Sequence, residues 1–331
     1  IFKKRSTSAF LFFILYIWIK RDANVNGFIE AFVNSIIFAT ILSLQRNILI
    51  YLFEKITKWM AILLGKSGFA FLLNMFGFPL PHSPLSADGA FGSLETENYY
   101  FFINAASFTE LGRFRGVFYE PGYLTLGVAA LLYLNKYDIH NKYVVILLFT
   151  QMLSFSLAGF ILLAFGFLFC SICNTQSKGK KSILSGTLVI LLSFYILSIV
   201  FGDAYMQDTL FSRLEWVDGD IAGNNRSSLY LDFVYENMMS TAEMWTGTNF
   251  NIEYSEKGVS GYKLFAVQNG LIGVILSIIS FYSLIPLKKR YSVNFMHGAI
   301  ILILLILYQN AYPTAFCILF PAACIMYINE E

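Results

Sequence analysis

Charged residues are scarce in this chain. Only 13% of its 331 residues are Asp, Glu, Lys or Arg, whereas 57% are hydrophobic and the mean hydropathy is +0.62. The charged share is about half that of an ordinary soluble domain, which excludes a disordered chain and an ordinary cytosolic enzyme. The net charge of +2 is too small to indicate nucleic acid as a partner. The four cysteines stand inside apolar runs, so they do not form the disulfide framework of a secreted domain.

Common catalytic and metal-binding motifs are missing as well. The sequence contains no P-loop, no Gly-x-Ser-x-Gly and no His-Glu-x-x-His pattern. Asp218-Gly219-Asp220 has the Asp-x-Asp form of a transferase metal site, but no soluble nucleotide-binding domain surrounds it, and its Asp-Gly chemistry favours a turn. Cys170 and Cys173 lie in an apolar run without further ligands, which favours two buried side chains. We therefore expect neither a metal nor a cofactor.

Apolar runs of bilayer length make up most of the chain and indicate an all-α polytopic integral membrane protein with about ten transmembrane helices. The predicted spans are Ser6–Ile19, Gly27–Leu44, Ile56–Phe78, Pro121–Leu134, Val144–Phe155, Leu157–Cys173, Ile183–Phe201, Leu264–Leu287, Phe295–Tyr308 and Tyr312–Ile328. No repeat or low-complexity tract divides the chain, so residues 1–331 are interpreted as a single transmembrane domain. Because the chain opens at Ile1 and not at Met, we expect N-terminal sequence to precede it.

Two long loops, about residues 79–120 and 202–263, separate groups of spans, and both are acidic on balance. Three short connections are basic on balance, and their cations are Lys136, Lys142, Lys178, Lys180, Lys181, Lys288, Lys289 and Arg290. Since basic short loops mark the cytoplasmic side, both long loops are expected outside. This topology requires a turn near Phe155-Ser156 between two short helices. It also leaves Lys20 and Arg21 outside, against the rule.

The segment from Gly112 to Tyr123 carries two arginines and a glutamate directly before a predicted span. Pro121 suits the first turn of a helix, and Glu120 favours the positive helix end, so a capped span with an interfacial arginine pair is one interpretation. The other is an anion site at the outer membrane surface. Arg113 and Arg115 would then bind a diphosphate, because a guanidinium group pairs with phosphate through two parallel hydrogen bonds.

Arg226 precedes an apolar stripe in the second long loop, and the spacing is typical of an amphipathic helix near residues 226–240. The stripe consists of Leu229, Phe233 and Val234. Arg226 is either a substrate-binding residue at the start of this helix or an ordinary solvated side chain. Arg213 is a further candidate cation in the same loop. In the first loop, His82 is either a proton acceptor or a solvated histidine.

The first long loop enters a span with the motif Arg113-x-x-Gly116-x-Phe118-x-Glu120-Pro121. This motif resembles the bacterial O-antigen polymerase family (Wzy-type), to which the O-antigen ligases are distantly related. The serine-rich turn within residues 153–160, and Gln268 to Gly273 after the second loop, are similar to further features of that family. The likeness covers roughly residues 78–328. The chain departs from some members in having no clean Arg-x(10)-Gly repeat.

The resemblance implies a GT-C-like membrane glycosyltransferase in the bacterial inner membrane, with its active site facing the periplasm. It would move a growing glycan from one undecaprenyl diphosphate carrier to the end sugar of another carrier-linked repeat unit. We expect Arg113 and Arg226 to stabilise the leaving diphosphate, and Glu120 to take the acceptor proton or orient an arginine. The expected diphosphate- and sugar-binding residues are Arg115, Arg213, Tyr119 and His82.

Two alternative functions stay open. An O-antigen ligase would attach the glycan to lipid A-core, but the histidine expected in its large external loop is missing from residues 202–263. A polysaccharide transporter would place ionisable groups near the bilayer midplane, whereas the spans after Pro121 are nearly free of charge. Expected partners are undecaprenyl-diphosphate-linked glycans, the lipid bilayer, and a chain-length regulator and a flippase of the same pathway.

Overall fold

The computed structural model describes residues 2–22, 24–85, 96–105, 113–118, 121–173, 195, 199, 216–217, 220–221, 229–248 and 261–284. Most of these residues are helical, as the sequence predicts. The helices are α1 (Phe2–Ile19), α2 (Val25–Ser43), α3 (Arg46–Met75), α4 (Pro121–Leu134), α5 (Lys142–Leu153), α6 (Leu157–Cys173), α7 (Leu229–Met239), α8 (Glu243–Thr246) and α9 (Gly261–Ser283).

Short antiparallel strands occur in both long loops. The first loop contains a sheet with the strand order β1 (Ser83–Leu85), β2 (Thr96–Asn98) and β3 (Ile103–Ala105). The second contains the pair β4 (Trp216–Val217) and β5 (Asp220–Ile221). Asp220 and Val217 are partners across this pair, and Asp218 and Gly219, where the sequence predicts a turn, lie outside the described residues.

Within the described residues, two helical stretches are long and apolar enough to cross a membrane, Val25–Ser43 and Lys263–Ser283. Shorter apolar helical stretches are Ser6–Ile19, Pro121–Leu134, Lys142–Leu153 and Leu157–Leu168. The predicted spans 295–308 and 312–328, and nearly all of 183–201, lie outside the part of the chain that the structure describes.

The chain divides into two compact units, Ile1–Lys55 with Arg226–Glu331 (unit 1) and Ile56–Asn225 (unit 2). In unit 1, α1 packs against α2 and α9 through buried aromatic rings. The ring of Phe12 lies 4.2 Å from that of Phe38 and 5.1 Å from that of Phe281. Further along the same contact, the Ser283 hydroxyl donates to the Ser8 hydroxyl at 2.9 Å. Small polar residues of this kind let apolar helices approach closely and bond across their contact.

In unit 2, α4 packs against α5 and α6. The helical course stops between Leu153 and Leu157, and Phe155 has a φ of 45°, so the break that the topology requires is present. The serine-rich turn bonds back to the helices that it joins, since the Ser154 hydroxyl donates to the carbonyl of Gln151 at 2.6 Å. The buried serine hydroxyls therefore stabilise the chain at the break by hydrogen bonding to the backbone.

Helix α7 falls within the residues for which an amphipathic helix is predicted. Its buried side chains are Leu231 and Met238, which pack with Val267 of α9. Val234 packs partly against the same cluster, but Phe233 is exposed. The buried stripe is thus rotated from the predicted one, because the position of α9 decides which face of α7 is covered.

Candidate functional site

Three of the seven predicted site residues fall among the described residues, and all three belong to unit 2. They are His82, Arg113 and Arg115. The other four lie outside the described residues: Tyr119, Glu120, Arg213 and Arg226. Pro121, which the sequence predicts in a first helical turn, is the first residue of α4.

Arg113 and Arg115 are half-buried and flank a fully buried Phe114 on a short loop, residues 113–118, which we call the arginine loop. Phe114 anchors the loop in the core of unit 2, and one arginine precedes it and the other follows it in the chain. The Phe118 amide donates to the carbonyl of Arg115 at 3.1 Å, which closes a turn ahead of α4. Two cations are thereby held next to each other on one ordered segment.

Gly116 gives the arginine loop its shape. Its φ is +57°, a left-handed conformation that side-chain-bearing residues rarely adopt. A Cβ at this position would lie 2.9 Å from Cδ2 of Leu64 in α3 and 3.3 Å from Cδ1 of Leu124 in α4. The Gly116 carbonyl also accepts the amide hydrogen of Ile103 in β3 at 2.9 Å. The glycine of the sequence motif therefore ties the two arginines to α3, α4 and the sheet.

A column of aromatic rings runs from the arginine loop into the sheet. The ring centroids of Phe114 and Phe71 are 5.4 Å apart, and those of Phe71 and Phe102 are 5.7 Å apart. Phe102 stacks on Tyr99 with centroids 4.6 Å apart and ring planes only 2° from parallel. All four side chains are buried. We call this set the aromatic column.

The far end of the aromatic column carries a polar cluster. The Tyr99 hydroxyl donates to Oε2 of Glu97 at 2.6 Å, and Oε1 of the same carboxylate lies 3.6 Å from Nε2 of His82. Nδ1 of His82 lies 3.2 Å from the carbonyl oxygen of Leu80, so each ring nitrogen faces an oxygen acceptor. The sequence did not predict the roles of Glu97 and Tyr99, because only the pairing of β1 with β2 brings them beside His82.

Burial raises the pKa of the Tyr99 phenol to about 12. The hydrogen bond to Glu97 and the negative charge of that carboxylate contribute to the same rise in pKa, and a hydrogen bond with Asn74 opposes it. Tyr99 is therefore neutral at physiological pH and remains a donor to Glu97.

Unit 1 contains a different structure around a break in α9. Gly270 has a φ of 64° and a ψ of −176°, which interrupts the helix. A Cβ on Gly270 would collide with the backbone of Trp245 and Gly247, and a Cβ on Gly247 would lie 2.5 Å from the carbonyl carbon of Gln268. The two glycines let the backbone after α8 cross the backbone of α9 in direct contact.

Side chains from the end of α1 close this crossing, which we call the α9 joint. The Arg21 guanidinium donates to the carbonyl of Gln268 at 3.0 Å and to that of Thr246, and the Trp18 indole donates to the carbonyl of Asn269 at 2.9 Å. A helix break leaves carbonyls without intrahelical donors. At this break Arg21 and Trp18 supply them, so the positive charge of Arg21 is engaged by backbone oxygens.

In the part of the chain that the structure describes, no group of three or more His, Cys, Asp or Glu is placed to hold a metal ion. The half-buried arginine pair in unit 2 is suited to a diphosphate or another polyanion, because each guanidinium group can form several charge-assisted hydrogen bonds to phosphate oxygens. Compared with known proteins, the chain matches no family model, no curated protein and no solved structure.

Proposed function

We propose that the chain is a membrane glycosyltransferase of the O-antigen polymerase (Wzy) type, which polymerises undecaprenyl-diphosphate-linked repeat units of O-antigen or a related surface polysaccharide. The observation that carries this proposal is the half-buried pair Arg113 and Arg115 on a loop whose conformation depends on Gly116. A lipid diphosphate leaving group gains negative charge in the transition state, and preorganised guanidinium groups stabilise that charge. The reaction needs no metal when arginines neutralise the diphosphate.

The proposed location is the bacterial inner membrane, with about ten transmembrane helices, a GT-C-like architecture and the active site facing the periplasm. The arginine loop lies beside the break between α5 and α6, since a Cβ on Gly68 would lie 3.5 Å from Leu153 and 3.9 Å from Phe114. Gly116 reaches Leu124, one turn into α4. These are the helix ends that the basic-loop rule assigns to the outside, which supports an arginine loop at the outer face.

The remaining roles follow the resemblance. Glu120 takes the acceptor proton or orients an arginine, and Arg226 assists on the diphosphate. Arg213 and Tyr119 contribute to binding of the diphosphate and the sugar, and His82 acts from the polar cluster. The partners are the lipid-linked glycans in the bilayer, with a flippase that delivers them and a chain-length regulator.

The α9 joint argues against the transporter alternative. Transporters use unwound carbonyls of broken helices to coordinate ions near the bilayer midplane. At the break in α9, the carbonyls of Gln268 and Asn269 already accept hydrogen bonds from Arg21 and Trp18. These oxygens are engaged within the protein, and the positive charge of Arg21 beside them disfavours a bound cation.

Deleting the gene and complementing it tests the proposal. We expect the deletion strain to carry lipopolysaccharide with single repeat units, and the complemented strain to regain the ladder of long chains. Arg113→Ala should reduce long chains about ten- to hundredfold, since each charge-assisted hydrogen bond contributes ~1.5–3 kcal/mol. Arg113→Lys should restore only part of the activity, because it keeps the charge and loses the planar fork.

Matched expression of each variant, measured by immunoblot, is the control for the complementation. Bare core in the deletion strain would identify a ligase instead. An unchanged ladder would overturn both assignments.

A further inference from the structure

The polar cluster at the end of the aromatic column contains a titratable histidine held by a carboxylate. Nε2 of His82 lies 3.6 Å from Glu97 and Nδ1 lies 3.2 Å from the carbonyl of Leu80. The imidazolium carries a positive charge and an N–H on both ring nitrogens, which suits an ion pair with Glu97 together with a contact to the Leu80 carbonyl, whereas a neutral imidazole has no charge and a single N–H. The geometry is therefore complementary to the protonated ring.

Glu97 connects this histidine to the rest of the unit. Its other carboxylate oxygen accepts the Tyr99 hydroxyl at 2.6 Å, and Tyr99 stacks on Phe102. Phe102 and Phe114 both pack on Phe71, and Phe114 lies between the two arginines. The connection from His82 to the arginine loop is continuous through buried rings.

The hairpin between β2 and β3 is also fastened to α3. The Ser67 hydroxyl donates to the carbonyl of Phe101 at 2.5 Å, and Tyr100 adopts a φ of 66° that a bulky side chain rarely takes. This strained turn holds Tyr99 and Phe102 in their stacked arrangement. A change at Glu97 therefore acts on a rigid element and reaches the arginine loop through it.

We propose that Glu97 is a positioning residue for the arginine loop, and that its ion pair with His82 makes this positioning dependent on pH. The proposal rests on the proposed function, since it concerns the residues that would hold the diphosphate. A histidine ring is charged only when it is protonated, so the ion pair with Glu97 forms with the protonated ring alone. In the described part of the chain, the titratable side chains that contact His82 are Glu97 and Tyr99.

A cysteine reporter measures the loop directly. Val117 lies on the arginine loop and its side chain is exposed, so Val117→Cys in a full-length chain with its four native cysteines replaced reports on loop access. Rates with a membrane-impermeant thiol reagent are compared between this reporter and the same reporter carrying His82→Gln, at pH 5.5 and at pH 8.5. The ratio at each pH cancels the intrinsic change in thiolate reactivity.

At pH 5.5 we expect the His82→Gln reporter to react about two- to fivefold faster than the reporter that keeps His82, which is the range expected for loss of a partly exposed ion pair. At pH 8.5 the two reporters should react at about the same rate. The reporter carrying Glu97→Gln should show the same pH dependence as the His82→Gln reporter, because glutamine keeps an oxygen for the Tyr99 hydroxyl and loses the negative charge. His140→Gln, at a histidine on the connection between α4 and α5, is the matched control and should give a ratio near one at both pH values. A His82→Gln ratio that does not change with pH would overturn the proposal.

Polymer formation in membrane vesicles, followed over the same pH range, separates this proposal from the proposed function. If the unmodified chain makes no polymer but the reporter ratio depends on pH, the proposed function is rejected and the positioning role of Glu97 is kept. Polymer formation with a constant ratio would reject the positioning role and keep the function.

Discussion

Both units carry arginines next to a helix end, and the local structure around those arginines differs. Arg21 of unit 1 donates to two backbone carbonyls at the α9 joint, so its charge completes a helix break. Arg113 and Arg115 of unit 2 extend from a loop that is anchored by Phe114 and shaped by Gly116. The difference shows that an arginine beside a predicted span is not by itself a functional signal. At Arg21 the fold supplies backbone carbonyls at a helix break, whereas Arg113 and Arg115 are positioned by a buried phenylalanine ring and a left-handed glycine.

The largest effect is expected at the α9 joint from Gly270→Ala. The new side chain would need a left-handed backbone and would collide with the backbone of Trp245 and Gly247, which cannot move aside as a side chain can. We expect a loss of roughly 2–5 kcal/mol in stability, combining backbone strain and overpacking, measured as thermal unfolding in detergent.

Gly77→Ala is the matched control for this substitution. Gly77 also has a positive φ, at +83°, but nothing lies within 4 Å of the position of its Cβ. The Gly77→Ala variant should therefore lose only the part of the stability that comes from backbone strain, and not the part that comes from a collision. Equal losses for the two variants would mean that the close crossing at the joint contributes nothing.

Arg21→Ala should have the next largest effect, a loss of roughly 1.5–3 kcal/mol, because the carbonyls of Thr246 and Gln268 lose a charged donor. The comparison is Lys20→Ala, which removes an adjacent cation whose partner, Glu30 at 2.9 Å, is largely exposed. That variant should lose at most about 1 kcal/mol. Similar unfolding temperatures for the two variants would show that Arg21 is an ordinary surface charge.

Gly116→Ala should affect activity more than stability. The atoms that a Cβ would meet are the ends of Leu64 and Leu124, which can shift, so we expect the left-handed backbone and the displaced side chains together to cost about 1–3 kcal/mol. The displaced loop would carry Arg113 and Arg115 with it, and long glycan chains should fall at least tenfold in the complementation assay. Normal chain length in a folded Gly116→Ala variant would contradict the role of this glycine in placing the arginines.

The smallest effect concerns Tyr99 and high pH. Because its pKa is raised from 10 to about 12, the folded chain holds this proton where the unfolded chain releases it. The contribution to stability is complete below pH 10 and is lost as the pH rises from 10 through 12. Unfolding measured over this window should be less steeply pH-dependent in Tyr99→Phe than in the unmodified chain. Identical slopes would mean that Tyr99 titrates as a free tyrosine.

Several elements follow from local sequence. Pro121 begins α4, since a fixed φ and a missing N–H suit the first turn. The distribution of charge between loops predicts the turn at Phe155-Ser156, and the helical course does break there. The apolar runs predict helices because period and length are properties of the sequence itself. Gly116 and the neighbouring arginines belong to one short motif, which is visible in the order of the residues alone.

Other features depend on contacts between distant residues. Arg21 contradicts the basic-loop rule in sequence, and its hydrogen bonds are explained only when residues 246 and 268 lie beside it. Glu97 is one acid among several in an acidic loop until β1 pairs with β2 and brings His82 to it. The buried face of α7 likewise depends on α9.

Local sequence is enough to predict that the chain is predominantly helical and apolar, that α4 begins at a proline, that a helix pair breaks at the serine-rich turn, and which arginines precede a span. These properties depend on composition, periodicity and local backbone preference, which act over a few residues. The tertiary structure decided that Arg21 completes a backbone joint, that Glu97 holds His82 and Tyr99, and which side of α7 is covered. The reason is physical, because a hydrogen bond or a buried face needs a partner from elsewhere in the chain, and only folding supplies that partner.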